Sequence, residues 1–131
     1  MTTNPALEKV PKSLRIWFVI HFAVDVLFAV PLLIAPVLFL TIFGWETVDP
    51  LTTRIVGAAL MAIGVESLLG WNASAEVFRA MLNLKIIWSA CVVLAILLTM
   101  LINGGPLFGW LVLAIFLVFN LIWLYYRTLL R

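Results

Sequence analysis

The chain has 131 residues, 66% of them hydrophobic and 11% charged, with a formal net charge of +2. A soluble domain is about half apolar and about a quarter charged, so too few polar residues are present here to clothe a soluble core. No basic face exists to hold nucleic acid, and the reading is an all-α integral membrane protein that forms a single membrane domain.

The apolar residues fall into four blocks, each near the length of about 20 residues that a helix needs to cross a bilayer. The first runs from about residue 14 to 34 and carries "IWFVIHFAVDVLFAVP". Its N-terminal flank is basic, but the run contains Asp25 and has no small-residue cleavage site, so it is expected to remain as an anchor. Residues 35–45, "APVLFLTIFGW", are apolar but too short to span. Pro31 and Pro36 each remove a helix donor and crowd the preceding turn, which predicts a kinked extension or a short interfacial helix with Trp45 at the headgroups.

The second block covers about residues 51–71, the third about 78–102 and the fourth about 106–126. The breaks carry turn chemistry: "WETVDP", then "WNASAE" with Asn72 or Ser74 as a cap, then "NGGP". The tripeptide FGW occurs at Phe43–Trp45 and again at Phe108–Trp110, on the same predicted membrane face. The surrounding polar residues do not superpose on that offset, so no internal repeat is inferred. The fold expected is a four-helix transmembrane bundle.

Basic residues set the expected orientation. Lys9, Lys12 and Arg15 precede the first block, Arg79 and Lys85 open the third, and Arg127 and Arg131 close the chain. Only Arg54 lies on the other side, with Glu46 and Asp49. The positive-inside rule then puts both termini and the middle loop in the cytoplasm, with the protein in the plasma (inner) membrane. The Asn72-Ala73-Ser74 sequon falls in that cytoplasmic loop and is read as chance, and Cys91, the single cysteine, as a small apolar filler.

Five polar residues share one level. At about 1.5 Å per residue, His21 lies roughly 10 Å in from the cytoplasmic end and Asp25 one turn deeper; Glu66, Asn83 and Asn120 come out roughly 8–10 Å deep. His21 and Asp25 are four residues apart and so on one helix face. A charge at mid-bilayer costs about 2.5–3.5 kcal/mol on insertion scales, which makes Asp25, Glu66 and Lys85 either a functional site or glue between helices. Asn83 and Lys85 point about 160° apart, so only one of them faces the bundle centre. Lys85 is expected to lie against Trp88 or to snorkel to the headgroups, with snorkelling the simpler expectation. Glu66 shares a stripe with Ala59, Ala62 and Gly70 and is expected to face protein; Gly57 and Gly64 lie opposite, so this helix is expected to pack on both sides.

The candidate intramembrane site is therefore His21, Asp25, Glu66, Asn83, Lys85, Trp88 and Asn120. Paired Glu-x-x-His motifs of di-iron bundles are absent, no metal is assigned, and the sequence names no cofactor. Ser67, Ser89 and Cys91 have no nucleophile motif around them. The leading functional reading is a non-catalytic accessory membrane subunit whose polar layer links the helices. The alternative is a small oligomeric transporter or channel using His21, Asp25 and Glu66 for cation binding or proton relay. A membrane enzyme acting on a lipid-soluble substrate, with His21 and Asp25 as an acid–base dyad, is third. The partners expected are the lipid bilayer and either further copies of the chain or a larger membrane complex.

Overall fold

The computed structural model describes residues 9–130. They form five helices: α1 (Lys12–Ile34), α2 (Pro36–Ile42), α3 (Pro50–Leu69), α4 (Ala75–Ile102) and α5 (Leu107–Leu129). α1, α3, α4 and α5 are long and apolar enough to cross a membrane, and α2 is the short segment between the first two.

The helix ends follow from local chemistry. Pro31 sits inside α1 without ending it, and the break falls instead at Ala35, which has φ −137° and ψ 61°. The residue before a proline is steered out of the helical region, so Pro36 makes the break and then opens α2 as its first residue. Asp49 caps α3 by accepting from the Thr52 N–H at 2.6 Å, with Pro50 next in line. Ser74 caps α4, its Oγ accepting from the Val77 N–H, and starts that helix three residues ahead of the predicted block. Gly44 (φ 94°) and Gly104 (φ 72°) take the left-handed conformation that the two turns at the α2 end require.

α1 packs closely on α3, and α4 on α5. The first pair approaches through glycines: a Cβ added at Gly64 would stand 2.7 Å from Asp25 Cβ, and one at Gly57 3.0 Å from Leu32 Cβ. The packing face of α3 is therefore Gly57, Leu60, Gly64 and Ser67, all buried. Ala62 and Glu66 lie on the other side of α3 and are exposed in the single chain, so this chain itself covers only the glycine side.

The two pairs meet through side chains. At the end holding the chain termini, Leu14, Phe18, Phe78, Met81, Leu82, Trp123 and Tyr126 form the larger core. At the α2 end, Ala29, Leu32 and Leu60 form a smaller one, flanked by Phe28, Phe39, Trp88 and Phe116. The two FGW tripeptides meet there: the Phe43 and Phe108 rings stack at 4.0 Å and 15°. Many large apolar side chains remain exposed along the four long helices, as lipid-facing surfaces do.

Candidate functional site

Three of the predicted site residues converge on one atom. His21 Nδ1 lies 3.1 Å from Asp25 Oδ2 and 3.2 Å from Lys85 Nζ. Ser67 Oγ stands 3.4 Å from the same nitrogen and accepts from Lys85 Nζ at 2.6 Å. The Ser67 hydroxyl in turn donates to the Ile63 carbonyl at 2.8 Å. His21, Asp25, Ser67 and Lys85 are each 6% exposed or less, so the cluster is interior.

The expected snorkelling of Lys85 is corrected. Its ammonium sits over the rings of Phe18 (4.9 Å) and Trp123 (5.4 Å), not over Trp88, and is held inward by Ser67 and His21. Donation to two side chains and contact with two ring faces outweigh headgroup solvation for this lysine. His21 is gripped edgewise by Phe119 and Trp123 at 4.8 and 5.1 Å.

An ammonium carries only donors, so where Lys85 donates to Nδ1 that nitrogen is the acceptor and the ring proton resides on Nε2. The Asp25 contact is then close without being a hydrogen bond. Oδ2 is indeed buried with no hydrogen-bonding partner. The pair in the opening helix is real as a juxtaposition, and its carboxyl group lacks a donor.

The remaining predicted residues divide. Asn120 joins the layer, donating to Ser89 Oγ at 2.8 Å and to the Ile86 carbonyl at 3.0 Å, while Ser89 donates to the Lys85 carbonyl at 2.7 Å. Asn83 is exposed and accepts from Arg127 Nε at 2.8 Å, as its angular separation from Lys85 requires. Glu66 is exposed and makes no hydrogen bond to the cluster, though its charge acts on Lys85 from the outer side of α3. Trp88 is half-buried against the second core. Ser67 is the member that sequence reasoning passed over. Its signal was the small-residue face Gly57-Leu60-Gly64-Ser67, which puts the hydroxyl on the buried side of α3.

Beyond Asp25, towards α2, a cleft of about 740 Å³ opens between the helix pairs. Val24, Phe28, Leu60, Trp88, Phe116 and Phe119 are among its walls, and among the described residues Asp25 is the one carboxyl group that borders it. Its volume falls within the range of about 300–1,000 Å³ typical of small-molecule sites. Ser67 and Lys85 have the spacing of a serine–lysine nucleophile pair, yet Ser67 is 0% exposed and its hydroxyl is directed at a backbone carbonyl. Among the described residues no group of three or more His, Cys, Asp or Glu is arranged to hold a metal.

Comparison with protein-family models, with curated proteins and with solved structures finds no match. The class of the chain therefore rests on its own helices: a small membrane protein with four candidate spans.

Proposed function

We propose that the chain is a non-catalytic membrane subunit in which the Asp25–His21–Ser67–Lys85 layer ties the two helix pairs together. The observation that carries this reading is the position of Lys85 Nζ, rooted on α4, buried, and engaged with Ser67 of α3 and His21 of α1 at once. Apart from Arg15, which holds the turn before α4 and lies over the Phe78 ring, the two pairs otherwise meet through apolar side chains, whose contacts are no stronger than those with lipid tails. Phe18, Phe78 and Trp123 are fully buried at the terminal end of the layer, where a cation or proton path would have to enter, which favours a tie over a transporter. The closed position of Ser67 likewise favours a tie over an enzyme.

Ala58, Ala62 and Glu66 on the outward side of α3 are all exposed. Small side chains allow close approach of another helix, and a carboxylate in such a stripe gains from being covered, so this is the face assigned to a neighbouring subunit. The basic flanks support a plasma-membrane subunit with its termini inside.

Lys85→Met tests the tie. Removing one partner from a buried charged pair is expected to cost about 3–5 kcal/mol, measured by reversible unfolding in detergent. Adding Asp25→Asn should recover most of that loss, because no uncompensated carboxylate remains. If Lys85→Met is neutral and Asp25→Asn leaves stability intact but removes function in cells, the tie reading fails and a functional site replaces it.

A further inference from the structure

We propose that the cleft between the helix pairs binds a neutral, lipid-soluble alcohol or phenol, whose hydroxyl donates to Asp25 and whose apolar body extends towards α2. The proposal stands on the cleft and its carboxyl group, and holds whether or not the chain is a subunit of something larger.

Three observations define the occupant. The first is the unsatisfied acceptor: Asp25 is 5% exposed, and its Oδ2 has no hydrogen-bond donor. A buried acceptor left without a donor is costly, so a ligand that brings one gains more than an ordinary hydrogen bond would give. The carboxyl plane turns readily about its Cβ–Cγ bond, so either oxygen can receive it.

The second observation is charge. Asp25 and Lys85 flank the same nitrogen of His21, and their opposite charges offset each other within the buried layer, while Glu66, the other carboxylate that acts on Lys85, is exposed and does not border the cleft. An ammonium ligand would leave an extra positive charge buried in an apolar surround, which is heavily disfavoured. A hydroxyl supplies the missing donor at no cost in charge. The acceptor also discriminates against plain hydrocarbon, which leaves Oδ2 as it is.

The third is shape and access. Apart from Thr52, Thr53, Cys91 and Thr99 the rest of the wall is apolar, with Phe28, Phe39, Trp45 and Phe108 lining the α2 end. On the rim, Val56 of α3 and Cys91, Ala95 and Thr99 of α4 are exposed, so the cleft opens between these helices towards the lipid. A ligand dissolved in the membrane can enter sideways without crossing the headgroups.

The test uses the full chain in detergent with three probes: dodecan-1-ol, dodecane and dodecylammonium. Binding is read from quenching of cleft tryptophans by the chain-brominated form of each probe, and separately from the shift in thermal unfolding midpoint. Trp88→Phe identifies the quenching that arises within the cleft. The alcohol should bind about ten- to hundredfold more tightly than the alkane, the ratio expected for one hydrogen bond to a charged acceptor. Ala95→Trp, which fills the cleft from its rim and leaves the polar layer untouched, should abolish alcohol binding while the protein stays folded. Asp25→Val should bring alcohol and alkane to equal affinity. Equal binding of alcohol and alkane to the unaltered chain would mean an ordinary acyl chain fills the cleft, and would overturn the proposal. So would preferential binding of the ammonium, or no binding by any probe. If cleft quenching disappears on dimerisation, a helix of a second copy occupies the space and the alcohol site is refuted.

Discussion

His21 Nδ1 has one in-plane position for a proton or a lone pair, and it faces Asp25, Ser67 and Lys85 within 3.4 Å. Only one of these can be served well at a time. Where the nitrogen accepts from Lys85 the carboxyl group is left short, and the Oδ2 atom without a hydrogen-bond partner distinguishes Asp25 from the satisfied polar residues around it. Gly64 completes the arrangement by making room for it. With a Cβ, position 64 would press on Asp25 Cβ at 2.7 Å, against backbone-anchored atoms that cannot swing aside. Gly64→Ala is therefore expected to cost about 1–3 kcal/mol in detergent unfolding. A larger enlargement on the exposed side of the same helix, Ala62→Leu, should stay within about 0.5 kcal/mol for the monomer. If the two behave alike, the close approach of α1 and α3 does not hold in the membrane protein as purified.

At the scale of elements, the helix starts are set by caps and the interhelix ties by arginines. Arg54 Nε donates to the Leu33 carbonyl at 3.1 Å, satisfying the end of α1 from the first turns of α3. Arg15 holds the turn before α4 through the Trp71 and Ala73 carbonyls and lies over the Phe78 ring. At the start of α3, the Thr52 backbone N–H bonded to Asp49 holds that carboxyl below the usual carboxylate range. The cap is worth its full amount above the ordinary carboxyl pKa, and is lost as pH falls through the lower value in the folded protein. Unfolding measured across the acid range should therefore show stability declining with falling pH. Asp49→Asn, which caps without titrating, should flatten the part of that decline due to this residue. An unchanged acid limb would show that the cap carries no pH dependence.

For the whole molecule, the basic residues argue that the end with the termini faces the cytoplasm. With Cys91→Ala as background, a cysteine at Asn72 should react with a membrane-impermeant thiol reagent from the cytoplasmic side only. A cysteine at Thr47 should react from outside only. Both positions are exposed, so accessibility within the protein does not limit the comparison. The reverse pattern would invert the assignment, and would put the Asp25 cleft in the inner half of the bilayer.

How much of this was legible beforehand divides along a physical line. Spans, breaks and caps are properties of contiguous residues: apolar length gives four crossing helices, Pro36 stops α1, and Ser74 starts α4. The local pairing of His21 with Asp25 was equally readable, since four residues make one turn. Lys85, Ser67 and Glu66 were a different matter. Each sits on a helix that is apolar nearly all round, where the hydrophobic pattern marks no inner face, so a lysine near an interface reads as easily outward as inward. Their places depend on how the helices rotate against one another, and that is decided by groups far apart in the chain: Gly64 admitting Asp25 across 39 residues of sequence, and Lys85 finding His21 across 64. The sequence by itself determined that four helices would lie in a membrane with polar groups at one level; only tertiary packing decided that Lys85 turns inward, that Glu66 turns out, and that Asp25 meets a cleft with its acceptor unfilled.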